Sequence, residues 1–269
     1  MVIGGCQTAE RDSKSVQRNL SESMASDYCE TAKEFIVINE FLKKQDFYES
    51  NWAKSTSKKA SLGCKGSAAR FIKSMKVMMK VGLYMEDAIS ISISLANTTD
   101  EKAETFFQVF QKSYLKNYLD LDTQSSVQLA TELSLRYAGS SKKAKKDFDQ
   151  FVEFCLDKES LGLSIPTCAD FSLRMTNYGE NKEAAVYPSF VRVFRFLKSK
   201  DGPEQSTSFA LQFAEELVKI HPLAADDYIA AYKYAVKQEG LGLDKESALQ
   251  LAKTLSQRTK QRIPANQEN

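Results

Sequence analysis

Residues 241–256 read LGLDKESALQLAKTLS, and the same layout recurs upstream as VGLYMEDAISISISLA from Val81, LDLDTQSSVQLATELS from Leu119 and LGLSIPTCADFSLRM from Leu161. Each copy opens with two apolar residues around a Gly or Asp and continues with apolar residues at helical spacing, and three of the four pass through a polar residue suited to a helix N-cap. The second apolar residue is a convenient marker: Leu83, Leu121, Leu163 and Leu243 stand 38, 42 and 80 residues apart. The last gap is two periods of 40, which calls for a further copy near residue 203. KDGPEQSTSFALQFAEELV from Lys200 meets that expectation, with Gly202 and Pro203 in place of the leucine marker.

A fixed period of this size is the signature of stacked supersecondary units. Asp122, Ser164 and Asp244 follow their markers as N-caps, and Pro166 and Pro203 are expected in the first helical turn, where a missing N–H costs little. Before each marker runs an aromatic-rich amphipathic stretch: Phe106, Phe107, Phe110 and Tyr114; then Phe148, Phe151 and Phe154; then Tyr187, Phe190, Phe194 and Leu197; then Tyr228, Ile229 and Tyr232. Each unit is thus helix, short turn, helix. Such a hairpin cannot bury both apolar faces alone, so neighbours must share a core.

The predicted fold is all-α, an α-solenoid-like stack of antiparallel helical hairpins with marker turns along one edge; a globular helical bundle is the competing architecture. The period resembles that of HEAT and armadillo repeats, without signature residues of either. The expected organisation is a flexible leader over residues 1–26 and one helical domain over 27–269. Within that domain, a capping hairpin spans 27–66, units span 67–98, 101–138, 142–178, 182–220 and 222–258, and a disordered tail covers 259–269.

Composition bounds the function. Hydrophobic residues make up 42% and charged residues 27%, with only 5 Pro and 11 Gly, which favours helices over sheet corners. With 37 basic and 35 acidic residues there is no net field to draw nucleic acid or acidic lipid, so a protein or peptide partner is expected and nucleic acid is the alternative class. No run of about 18 apolar residues is present, which excludes a spanning helix from the chain as given. Cys6, Cys29, Cys64, Cys155 and Cys168 form no CxxC pair, and His221 is the single histidine, so no zinc site, other metal site or cofactor is expected.

No catalytic constellation stands out, and the chain is read as a non-enzyme; an enzyme of unrecognised family is the further alternative. His221 beside Pro222 reads as a helix C-terminal residue suited to the dipole. The adjacent acids Glu215–Glu216 and Asp226–Asp227 point to different sides of a helix and read as solvated surface. The cluster Lys142, Lys143, Lys145 and Lys146, and the stripe Arg70, Lys73, Lys76 and Lys80, could grip phosphate, but acids such as Asp147 and Asp149 favour a balanced solvated face. Trp52, Met75, Met78 and Met79 read as core filling.

Two cysteine readings complete the expectations. Cys155 and Cys168 stand 7 residues before and 6 after Gly162, so an antiparallel hairpin brings them together, as packed thiols in preference to a disulfide. At the N-terminus, Ile3-Gly4-Gly5-Cys6 resembles the end of a bacterial lipoprotein signal, in which the cysteine marks the point of cleavage and of lipid attachment, although no charged and apolar regions precede it. The resemblance implies a lipid anchor at Cys6 and a periplasmic, membrane-tethered scaffold; without it the chain is expected to be cytoplasmic.

Overall fold

A computed structural model describes residues 31–45, 50–63, 65–116, 118–180 and 185–259. Among the described residues every regular element is helical and no strand occurs. The leader, Cys6, Cys29, Cys64 and the tail beyond 259 lie outside them. Thr259, assigned above to the tail, belongs to the fold: it is buried and its hydroxyl donates to Asp227 at 2.7 Å.

Helix α1 covers residues 31–43, followed by α2 (Ser50–Ala60), α3 (Ser67–Lys80), α4 (Met85–Ala96), α5 (Asp100–Tyr114) and α6 (Thr123–Thr131). A π-helical turn, Glu132–Arg136, extends α6, and then come α7 (Ser141–Leu156), α8 (Ile165–Asn177), α9 (Val186–Lys198), α10 (Thr207–Ile220), α11 (Pro222–Val236) and α12 (Lys245–Gln257). The chain divides into two compact units, parted between Ala103 and Glu104.

In the first unit α3 and α4 pack as a hairpin around Phe71, Met75, Met78 and Leu95, each fully buried. Arg70, read from sequence as part of an exposed basic stripe, is instead buried: its guanidinium donates to Asp100 at 2.6 Å and to the carbonyls of Ala96 and Lys65 at 3.0 and 3.2 Å. Three fixed acceptors outweigh the cost of drawing one cation inward.

The marker turns share one backbone design. The residue before each marker has a left-handed φ: 77° at Gly82, 46° at Asp120, 57° at Gly162, 55° at Glu204 and 59° at Gly242. In four of them the N–H of the next residue reaches back eight positions to a helix carbonyl: Leu121 to Ser113 (3.0 Å), Leu163 to Cys155 (3.1 Å), Gln205 to Leu197 (2.8 Å) and Leu243 to Ala235 (2.9 Å). The turn at Leu83 is tighter, its N–H donating to Met78 at 3.1 Å.

This geometry corrects the register of one copy. The marker is Gln205, not Gly202 or Pro203, and Pro203 lies in the turn ahead of the N-cap Ser206. The spacings from Leu83 to Leu243 become 38, 42, 42 and 38 residues. The pattern was hidden because a non-glycine, Glu204, takes the left-handed conformation and a polar residue takes the marker's place.

Side-chain caps follow three of the turns. Asp122 accepts from the Ser125 N–H and Asp244 from the Ser247 N–H, both at 2.9 Å, and Ser206 accepts from Phe209 at 3.2 Å. Ser164 occupies the cap position but bonds no backbone N–H, its hydroxyl meeting that of Thr167 at 2.8 Å. The backbone and side-chain hydrogen bonds from Ser125 and Ser247 hold the Asp122 and Asp244 carboxyls below their usual value. A pKa depressed in the folded state contributes stability above the unfolded value, lost as pH falls through the folded one. Asp122→Ala is therefore expected to lower Tm at pH 7 and to lower it less at pH 2, since the contribution shrinks as pH falls below the reference carboxyl value of about 3.9. Equal losses at both pH values, read by thermal melts, would show that the carboxylate charge is irrelevant to the cap.

Candidate functional site

In the unit from Glu104 onward, the helices that precede the marker turns, the first helices, contact one another, and so do some of those that follow them, the second helices. First helices meet through buried rings and polar pairs. Ser141 donates to Thr105 at 3.1 Å and Lys112 pairs with Asp149 at 3.0 Å, joining α5 to α7. Phe151 and Phe154 of α7 meet Phe190 and Phe194 of α9, with centroids 5.7 Å apart for Phe151–Phe190 and 5.3 Å for Phe154–Phe194. Phe196 of α9 then meets Tyr228 and Tyr232 of α11 at 6.4 and 5.5 Å. Edge-to-face geometry suits the ring quadrupoles and adds to the burial term.

Second helices run α6, α8, α10, α12. Arg174 of α8 grips Glu215 of α10 through two hydrogen bonds, at 2.7 and 3.2 Å, and the Tyr178 hydroxyl donates to the same carboxylate. Lys253 of α12 pairs with Glu216 of α10 at 3.9 Å and lies 5.3 Å from the Phe213 ring. Arg174 and Glu216 each stand eleven residues past their markers; Glu215 and Lys253 each stand ten past theirs. The two pairs thus share one register with opposite polarity. Exposed pairs of this kind contribute little stability, and their effect is to fix alignment. The acids read from sequence as solvated are therefore partnered, including Asp226, which binds Arg192.

Between α6 and α8 lies a groove of about 270 Å³. Leu121, Leu129, Pro166, Ala169 and Leu173 give it apolar walls, and Ser125, Gln128 and Asp170 supply polar groups. Gln128 and Asp170 each stand seven residues past their markers, and the same place is taken by Gln212 on α10 and Gln250 on α12, all four exposed. Carboxamides offer both donors and acceptors. A second groove, of about 320 Å³, is bordered by Gln108, Gln111, Lys112, Leu115 and Lys145.

The lysines of the cluster have acidic neighbours. Lys145 bonds Asp149 at 2.8 Å, where Lys112 and the Tyr118 hydroxyl also converge, and burial beside Asp149 pushes the Tyr118 hydroxyl up. Lys143 and Lys146 sit near buried Asp147, whose carboxyl burial raises and those cations partly restore. Lys142 and Lys146 are exposed; Lys143 and Lys145 are half-buried. His221 ends α10 and also caps α11, its Nδ1 accepting from the Leu223 N–H at 3.1 Å. Met75 and Met78 are buried, and Met79 and Trp52 half-buried. Among the described residues no three His, Cys, Asp or Glu side chains gather in a way that could hold a metal ion.

Cys155 and Cys168 do meet, as a disulfide with Cα atoms 5.5 Å apart, in place of the two packed thiols expected. What sequence reasoning missed is the exposed polar residue seven past each of four markers and the inter-helix ion pairs. Their signal was present, as polar residues at fixed offsets from the markers, but each helix read alone shows only an ordinary solvated face.

No protein-family model matches the chain, and neither a curated protein nor a solved structure matches it.

Proposed function

We propose that the chain is a non-catalytic helical-repeat scaffold, an α-solenoid-like array in the unit from Glu104 onward, that takes an extended segment of a protein partner across α6, α8, α10 and α12. The observation that carries this reading is the column Gln128, Asp170, Gln212 and Gln250, one exposed hydrogen-bonding side chain per hairpin at a single register. Packed helices lie about 8–10 Å apart, which is close to three residues of extended chain at about 3.3 Å each. A peptide crossing the row would present main-chain groups to successive columns while its apolar side chains entered the α6–α8 groove, a familiar mode of peptide capture.

The test is selection of displayed random peptides on the full chain, followed by binding to Ala169→Trp, which fills the groove, and to Gln128→Ala. Clones that lose at least about tenfold on Ala169→Trp, equivalent to about 1.4 kcal/mol, are the expected result. Failure to enrich any clone, or clones indifferent to both substitutions, would overturn the reading.

The lipid anchor at Cys6 and the envelope location it implies are part of the same proposal. A chain expressed with its native upstream frame should incorporate labelled fatty acid, and Cys6→Ala should abolish the label; labelling that survives the substitution removes the anchor.

A further inference from the structure

The Cys155–Cys168 bond occupies a place that every marker turn possesses. Cys155 stands eight residues before its marker and Cys168 five after it. The equivalent pairs are Met75 and Ala88, Ser113 and Ser126, Leu197 and Ala210, and Ala235 and Ala248. All ten side chains are at most 1% exposed. The match extends to detail: Cys168 Sγ lies 3.7 Å from the Leu163 carbonyl oxygen, where Ser126 Oγ donates to the Leu121 carbonyl at 3.4 Å. Cys155 also accepts, through its own carbonyl, the eight-residue hydrogen bond from Leu163 that closes the turn. The eight-residue closure therefore stands without a cross-link in three hairpins and carries one in the fourth.

We propose that Cys155 and Cys168 are an oxidation site that is filled while α7 and α8 fold together and then sealed, a permanent covalent staple rather than a redox switch. The chemistry is two-step thiol–disulfide exchange with an external disulfide, protein or small molecule. One thiolate attacks the external disulfide, forms a mixed disulfide and expels one thiol; the second cysteine thiolate then displaces the other. Two cysteine thiols lose two electrons and two protons, and one external disulfide becomes two thiols. Both sulfurs are 0% exposed in the folded chain, so neither an oxidant nor a reductant can reach them until the hairpin opens. The site thus records the conditions under which the chain folded, and a bond here marks folding in a disulfide-forming compartment.

The test uses the full chain produced separately in a reducing and in an oxidising host compartment, each quenched with N-ethylmaleimide in denaturant and mapped by mass. From the oxidising compartment the peptides holding Cys155 and Cys168 are expected joined, unlabelled and about 2 Da lighter than their dithiol sum. Dithiothreitol should open the bond at least about tenfold more slowly in native buffer than in guanidinium, because reduction waits on local opening. The variant with both Cys155→Ser and Cys168→Ser, which copies Ser113 and Ser126, should keep its helicity and melt with the reduced wild type, a few degrees below the oxidised form. Alkylated Cys155 and Cys168 in protein from the oxidising compartment would overturn the proposal. So would equal reduction rates in native and denaturing buffer, or a serine variant whose Tm still falls on adding dithiothreitol.

Discussion

Phe190→Ala is expected to destabilise the unit from Glu104 onward by about 3–5 kcal/mol, the usual cost of emptying a buried phenylalanine site. The side chain is 0% exposed and its ring lies 5.6–6.0 Å from those of Phe151, Phe154, Phe171 and Phe194. Those rings belong to α7, α8 and α9, so the vacated volume faces three helices, and stiff aromatic neighbours collapse poorly into it. Urea unfolding followed by helical circular dichroism measures the effect. A loss under about 1.5 kcal/mol would mean that α9 can slide inward and that the rings are not the element coupling these hairpins.

The second large effect is expected at Gly202 and Gly240, each three residues before its marker. A Cβ on either would stand 2.0 Å from a backbone oxygen, that of Phe196 or Tyr234 respectively. Neither glycine has a positive φ, so the demand is for space rather than for a left-handed conformation. Because the obstruction is backbone, relief requires the turn to move, and Gly202→Ala is expected to cost about 3 kcal/mol or more. Gly82→Ala is the contrast: φ is 77° with nothing within 4 Å of the added carbon, and the cost expected is only about 1 kcal/mol of conformational strain. The corresponding places in the other turns hold Lys80, Tyr118 and Ser160. Should Gly202→Ala and Gly82→Ala prove equally mild, the turn before α10 would be able to follow the path taken at Ser160.

Much of the helical layout was legible because turn chemistry and apolar spacing point the same way at Leu83, Leu121, Leu163 and Leu243. The meeting of Cys155 and Cys168 followed from their near-equal distance from Gly162. Their bonding did not, since oxidation is set by the surroundings in which a chain folds. The copy before α10 was read two to three residues early because Gly202 and Pro203 are strong turn signals, whereas the left-handed residue is Glu204. Arg70 was misread for a related reason: a cation at helical spacing with lysines looks exposed until Asp100 and the Ala96 carbonyl, 30 and 26 residues away, close around it. The groove beside Gln128 and Asp170 was out of reach, because it exists only between two helices whose separate sequences each look merely polar.

The eight-residue closure of the marker turns has a consequence for chain length. Leu121, Leu163, Gln205 and Leu243 each reach a helix end through atoms of their own loop, and each is followed at once by a helix-starting residue in extended conformation. Cutting after one marker and rejoining after another would therefore splice matching backbone to matching backbone. Residues 164–205, for instance, form a 42-residue cassette whose removal places Ser206 after Leu163 just as Ser164 stands now. The joint between a turn and the helix that follows it is thus the same at all four markers, and a splice between two of them would introduce no new backbone conformation there.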